Sequence, residues 1–397
     1  MPYIIVFFLS SSLMYFSNSR ILNNKYKNSH IWFVILSILI VSIFAGVRND
    51  TIGTDMKVYG NYVFLDSIKY SDFYSYYTST VGWFKVEPFY MFINFIASRI
   101  STSPVFFYFF LSVLINTLMY MSIINFNIKN HINVAMSWIS YLLIYYGYTF
   151  NLLRQSLAIA FLFIGFSYLY NEKYKISSVF IVIASLTHYS SLVASLLIIF
   201  SYFLLKFVKN KKLVIYSIII LSTISFIAIN PILKMLITSN LLSEKYLMYI
   251  NNSGGLGFSW KSIILKVPVI FVFIYAYRYS NINDSKNNDD YFFFLFIFIL
   301  DFIIYQLRMI NVTFSRMSLY LQIYQVISIP FLISIMESFK IFGFELPLSK
   351  KNVTFKIHKN SIACIYVFYL IAVWYYQIVL VGINEIYPYV SDILRIK

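Results

Sequence analysis

The sequence predicts an all-α, polytopic membrane protein, and three observations carry that prediction. Of its 397 residues, 60% are hydrophobic and only 12% charged, whereas a soluble chain carries about twice that share of charge. Apolar runs of roughly 17–25 residues recur, the length a helix needs to cross a hydrocarbon core about 30 Å thick. Basic residues gather in the polar intervals between those runs, the bias that sets topology. Segments that cross lipid must be helical, because their backbone groups find no water to bond. The chain therefore reads as a single integral-membrane domain over 1–397, with about 11–13 transmembrane helices and one larger external loop region.

Taken in order, Pro2 to Phe16 is apolar but lacks a basic leader region and a small-residue cleavage site. Arg20, Lys25 and Lys27 follow it. It reads as a retained first helix, 2–17, with the N-terminus outside. Further spans are expected at 31–47, 104–124, 132–149, 154–170, 176–188, 190–205, 213–229, 263–279, 291–307, 317–336 and 361–383. Two stretches are ambiguous. Residues 88–98, between Glu87 and Arg99, are short for a crossing at about 1.5 Å per residue. The run 176–205 is too long for one ordinary span and short for two. If 88–98 is interfacial or re-entrant and 176–205 is a hairpin of two short helices, the larger share of basic residues falls inside, as the bias requires. This topology leaves external segments at approximately 48–103, 230–262 and 308–316. It places a basic loop, 337–360, and an Asn/Asp-rich connector, 280–290, inside. Gly254-Gly255-Leu256-Gly257 is too short and isolated for a phosphate loop and reads as a turn.

The net charge of +16 would suggest nucleic acid in a soluble protein. Here it belongs to the loops between spans, nothing resembles a nucleic-acid module, and the excess favours anionic lipid headgroups instead. Cys364 is the only cysteine, which excludes a disulfide frame and a cysteine metal site.

The polar residues at the external boundary are the candidates for chemistry. Arg48, Asp50 and Asp55 flank Gly53, where positive φ would allow a tight turn; they also suit an interface anchor. Glu87 precedes Pro88 at a helix start, where the macrodipole favours a carboxylate, and Asn94 lies inside the apolar stretch that follows. Arg154-Gln155 falls between two apolar runs with almost no polar loop, although an Arg mid-span costs about 2.5–3.5 kcal/mol even on the lenient scale. His188 stands where the long run must turn; His30, His131 and His358 fall inside, and no second histidine suggests a zinc pair. Arg308 and Arg316, with Ser315 and Tyr320, bracket a tight connection. Asp301, two turns before Arg308, is expected to pair with it or with another Arg inside the bundle. A guanidinium fork suits phosphate oxygens, so four external arginines at headgroup level point to an anionic membrane substrate.

These pieces, in order, resemble the EpsG-like branch of the Wzy-type exopolysaccharide and O-antigen polymerases. They are Ala45-Gly46-Val47-Arg48 with Ile52-Gly53-Thr54-Asp55 and Tyr59, then Glu87-Pro88-Phe89-Tyr90 with Asn94. Arg154-Gln155-Ser156-Leu157-Ala158, Ala184 to Ser191 around His188, and Ser315-Arg316-Met317-Ser318-Leu319-Tyr320 follow. Met56-Lys57 and Ser191 depart from the usual pattern. The resemblance implies a glycosyltransferase in the bacterial cytoplasmic membrane that works on its outer face. It would move a growing glycan from undecaprenyl diphosphate onto the non-reducing end of another lipid-linked repeat unit, with no cofactor, nucleotide sugar or metal. A flippase would supply the units, and a chain-length regulator is a further implied partner. Arg48, Arg154 and Arg316 would hold the diphosphate, with Arg308, Gln155, Tyr59, Asn94 and Tyr320 also at the substrate. His188, Asp55 or Glu87 would be the base, with His188 ranked first because imidazole is the side-chain type best suited to general-base work near neutral pH. An O-antigen ligase-like transferase, a lipid-linked glycan flippase and a membrane acyltransferase are the competing readings.

Overall fold

A computed structural model of the chain describes residues 2–21, 30–84, 86–239, 259–279, 285–309, 312–336, 339–345, 352–357 and 359–396. Among these, six helices are long and apolar enough to cross a membrane, and three shorter apolar helices accompany them. The all-α membrane fold expected from composition is present. Read from sequence as one domain, the chain clusters into two compact units, 1–195 with 360–397, and 196–359.

The first unit begins with α1 (Pro2–Ile21) and α2 (His30–Gly46). Ser10 and Ser37 exchange hydrogen bonds across their seam at 2.9–3.0 Å, and Trp138 donates its indole N–H to Ser10 at 2.9 Å. Small hydroxyl residues at such seams let helices approach closely and satisfy polar groups where lipid cannot. The interval 48–103, expected as an external loop, is largely helical. A π-helical turn (Met56–Gly60) leads into α3 (Asn61–Ser67), followed by α4 (Phe73–Phe84) and α5 (Pro88–Ile100). Pro88 opens α5 at its first turn, where its missing N–H costs nothing. At 13 residues, α5 is about 20 Å long.

Next come α6 (Pro104–Asn130), α7 (Val134–Tyr141), a π-helical turn (Leu142–Tyr146), α8 (Tyr148–Asn151) and α9 (Leu153–Tyr170). The α9 span is the most enclosed of the six, with 89% of its apolar stretch buried. It packs between α6 and α10 (Tyr174–Thr187), and α10 also meets α5. The run 176–205 breaks at His188 and Tyr189, where α10 ends and α11 (Ser190–Phe207) begins. A span at the far end of the chain, α17 (Lys359–Trp374) continued by a π-helical turn (Tyr375–Leu380), returns to this unit. The segment after it folds onto the end of α2. Tyr389 stacks on Phe44 with ring centroids 3.9 Å apart, and Ser391 donates to the Val47 carbonyl at 2.5 Å.

The second unit holds α12 (Lys211–Thr238), α13 (Trp260–Tyr279), α14 (Ser285–Gln306), α15 (Val312–Gln322) and α16 (Gln325–Ile335). Asp301 does not pair with an arginine as expected. The Lys266 ammonium bonds it from α13, and Gln325 donates to it from α16 at 3.2 Å. Arg308 lies past the end of α14 in a 3-10 turn (Leu307–Met309), about 10 Å along the chain from Asp301, so a lysine on a neighbouring helix reaches it more easily. Arg308 instead donates to the Tyr305 hydroxyl at 2.6 Å. The interval 337–360, expected as a loop, contains two antiparallel strands, β1 (Phe339–Glu345) and β2 (Asn352–Ile357). The turn expected at Gly254 to Gly257 and most of the external segment 230–262 lie outside the described residues, as does His358.

Candidate functional site

The site is built on the break between α8 and α9. Leu152 leaves helical geometry there, and the freed N–H of Leu153 donates to the Asp55 carboxylate at 3.2 Å. A carboxylate from a distant segment thus caps the positive end of the central helix. Asn151 returns the contact: its side-chain oxygen accepts from the Thr54 backbone N–H at 3.0 Å, from the Thr54 hydroxyl and from the Asp55 N–H at 3.4 Å.

This clamp depends on Gly53. Its φ is +92°, and a Cβ there would stand 2.3 Å from the Phe150 carbonyl oxygen. Gly53→Ala is expected to strain the backbone by about 1–3 kcal/mol and to push the turn off α8 as well. The check is the yield and melting temperature of purified protein. Gly382→Ala is the control, because φ is +73° there but no atom lies within 4 Å of its Cβ, so it should cost clearly less.

Beyond Asp55 a continuous polar chain crosses to α5 and α10. Tyr59 donates its hydroxyl to Asp55 at 2.6 Å, and the Arg154 guanidinium lies 4.5 Å from the centroid of the Tyr59 ring. Burial and the neighbouring Asp55 charge hold the Tyr59 hydroxyl well above the usual phenol range, so it stays a donor. Arg154 donates to one Glu87 oxygen at 2.7 Å, and His188 Nδ1 lies 2.6 Å from the other. The Tyr189 backbone N–H also reaches that second oxygen at 3.4 Å. Glu87 makes no capping bond to its own helix; its carboxylate serves the neighbours instead. Burial alone would raise its pKa, but the His188 hydrogen bond and the Arg154 charge more than offset this and hold it below the ordinary carboxylate range.

Exposure separates the roles. The Glu87 side chain is 5% exposed, whereas Arg154 and His188 keep 23% and 27%. An ionised carboxylate, sealed from solvent, therefore orients an imidazole and a guanidinium that both still meet solvent. With Nδ1 turned to Glu87, the other ring nitrogen of His188 can accept a proton, the division of labour by which a carboxylate fixes a histidine base.

The structure thus joins Asp55, Tyr59, Glu87, Arg154 and His188. Gln155 is buried one residue further along α9. Asn94 is buried in α5 and donates to the Tyr90 carbonyl at 2.8 Å, as a helix-packing residue does. Arg48, expected as a diphosphate ligand, does not present its guanidinium to solvent. It is 6% exposed, donates to the Ala45 carbonyl, and lies 4.8 and 4.5 Å from the ring centroids of Tyr108 and Phe150. Desolvated stacking of this kind is worth about 2 kcal/mol, and it fixes the end of α2 against α6 and α8. Arg308, Arg316 and Tyr320 belong to the second unit, with both arginines exposed and Tyr320 buried.

Sequence reasoning missed Asn151 and the C-terminal segment. Asn151 had a usable signal, since Asn just before an apolar helical run is a favoured helix start. The C-terminal contacts with Phe44, Val47 and Asn49 had none, being more than 340 residues away in the chain.

The sequence model of the EpsG family matches residues 31–391. No curated protein and no solved structure matches the chain.

Proposed function

The chain belongs to the EpsG family, and on that premise we propose that it is a polysaccharide repeat-unit polymerase. It acts as a glycosyltransferase at the outer face of the bacterial cytoplasmic membrane. A growing glycan is moved from undecaprenyl diphosphate onto the non-reducing end of another lipid-linked repeat unit. The family is associated with Wzy-like polymerases. The observation that carries the reading is the buried Glu87 carboxylate holding His188 and Arg154 at 2.6 and 2.7 Å, because it couples a base to an anion-binding group.

In the proposed step the acceptor hydroxyl attacks the anomeric carbon of the donor glycan. The hydroxyl proton passes to Nε2 of His188, and the bond from the anomeric carbon to the diphosphate oxygen breaks. Undecaprenyl diphosphate leaves with the bonding electrons, and Arg154 stabilises the charge that develops on it. Glu87 orients His188 and Arg154; Tyr59, its hydroxyl bonded to Asp55, lies against the Arg154 guanidinium. Arg48 is a positioning residue rather than a ligand. Arg308 and Arg316 are proposed diphosphate ligands on the resemblance alone. A flippase supplies the units, and a chain-length regulator is a proposed partner.

His188→Ala in a strain making the polymer tests the base. General-base removal costs on the order of 10²–10⁴ in rate, so glycans should collapse to single repeats at normal protein levels. Undiminished polymer length would exclude His188 and return the role to the acids, Asp55 or Glu87.

One observation favours a second reading. The Lys266–Asp301 pair, joined by Gln325, places charge inside the bundle of the second unit, as a lipid-linked glycan transporter would. The two readings differ in product: a transporter relocates single repeats without joining them.

A further inference from the structure

The proposed reaction uses Tyr59 but none of the tyrosines of α4. That helix is seated on its neighbours by rings. Phe73 meets Phe92 and Phe95 of α5 at centroid distances of 5.5 and 5.8 Å, and Tyr76 lies 6.2 Å from Phe95. Tyr76 is buried and donates its hydroxyl to the Val63 carbonyl of α3 at 2.7 Å. With Phe73 and Tyr76 turned inward, the helical period turns Tyr74, Ser75, Thr78 and Ser79 outward together, and all four are exposed. Phe92 and Phe95 stand about 8–12 Å beyond Glu87 along the single helix α5. The outward face of α4 is thereby held at a set distance from the Glu87 carboxylate.

This face suits neither hydrocarbon nor an anionic headgroup. The stripe that the apolar helix α10 leaves exposed is aliphatic, Ile176, Val179, Val182 and Leu186, as contact with lipid requires. On α4 the exposed stripe is one tyrosine and three hydroxyl residues. Between Asn61 and Ser79 the charged residues are Asp66, Lys69 and Asp72. Lys69 bonds Asp66 at 3.1 Å, and Asp72 accepts the Ser75 N–H at 2.9 Å to cap α4. The one lysine is thus already paired, and the segment has no arginine to fork a phosphate. Tyr74 nonetheless stands 76% exposed. A rigid ring beside small hydroxyl side chains matches a sugar. Pyranose C–H groups meet the negative face of the ring, and tyrosine offers that area at low cost in side-chain entropy. Thr78 donates to the Tyr74 carbonyl at 2.9 Å, which leaves its oxygen lone pairs to accept from a sugar hydroxyl.

We propose that the outward face of α4 is a saccharide-binding platform for the glycan chain, with Tyr74 stacked on a pyranose ring and Ser75 and Thr78 bonded to sugar hydroxyls. The identity of that chain rests on the polymerase reading. The interval 48–103 is external by the positive-inside bias, the side on which the proposed reaction takes place. Because α5 separates the platform from Glu87, it holds sugars beyond the one being joined. Retaining them keeps the polymer at the protein between additions, which governs chain length rather than the rate of a single bond.

Tyr74→Ala, Tyr74→Trp and Tyr74→Leu in the full-length protein separate a sugar platform from a lipid anchor. Binding of soluble oligosaccharides, released from the strain's own polymer, is measured on detergent-purified protein and needs no turnover. Polymer length is measured in the producing strain. Tyr74→Ala should weaken binding about three- to tenfold and shorten the polymer without collapsing it to single repeats. Tyr74→Trp should keep both near wild type, and Tyr74→Leu should behave as the alanine variant does. Wild-type binding and length in the leucine variant would assign the face to lipid and overturn the proposal. So would equal binding, or none, in wild type and Tyr74→Ala. The polymerase reading fails on a different observation, repeat units that cross the bilayer without being joined, and that result leaves the binding comparison intact.

Discussion

Arg154→Ala is expected to leave a membrane-inserted protein that makes single-repeat glycans and no polymer. Two effects combine. The guanidinium that bonds Glu87 at 2.7 Å and stacks 4.5 Å from Tyr59 is lost as the group that receives diphosphate charge, and one such donor is worth about 10²–10³ in rate. Its loss also leaves the buried Glu87 carboxylate with only His188 and the long Tyr189 N–H contact, and breaking a buried pair costs about 3–5 kcal/mol. Arg154→Lys separates the two effects, because an ammonium restores charge beside Glu87 but not the planar fork. Melting temperature should recover largely in the lysine variant while polymer length does not. Full-length polymer from Arg154→Ala, at wild-type protein levels, would remove Arg154 from the reaction.

Glu87→Gln should be nearly as damaging, although it changes no volume. A glutamine can still meet Arg154 or His188, but it carries no charge to favour either, and its amide can present a donor to Nδ1 and so select the wrong tautomer. Where a carboxylate orients a catalytic histidine, that exchange costs up to about 10⁴ in rate. A pH series makes the result specific. The folded-state pKa of Glu87 is lowered, so its contribution to stability is fully present above the ordinary carboxylate range. It is lost as pH falls through the lowered folded value. Melting temperature in the wild type should therefore drop on acidification in that window, and the Gln variant should start lower and lack this component of the drop. An unchanged acid limb in the variant would mean that the carboxylate is not held ionised as described.

How much of this was legible in the sequence follows from what each residue must contend with. Glu87, Arg154 and His188 stood out because a charged or ionisable group beside apolar runs is costly and so conspicuous. Their convergence was not legible: Glu87 lies 67 residues from Arg154 and 101 from His188, and only the packing of α5, α9 and α10 brings them together. Capping explained Glu87 locally, yet the carboxylate spends its bonds on two other helices. Arg48 shows the opposite case. Its place after an apolar run reads as a solvent boundary, but Tyr108, Phe150 and the returning C-terminal segment enclose that boundary from far along the chain. Helices were readable where apolar runs were long. In 48–103 only the helix opened by Pro88 was, because α3 and α4 are short and aromatic, and their pattern comes from packing on one another and on α5 rather than from a crossing of lipid.

Reconstitution of the purified protein with a chemically defined undecaprenyl-diphosphate-linked repeat unit tests the central claim most directly. The measurement follows glycan length and released undecaprenyl diphosphate together. The account predicts glycans of two and more repeats, one undecaprenyl diphosphate released per new bond, and loss of both products in Arg154→Ala and His188→Ala. Repeat units that cross the bilayer without lengthening and without release of the diphosphate would contradict it and make the protein a transporter.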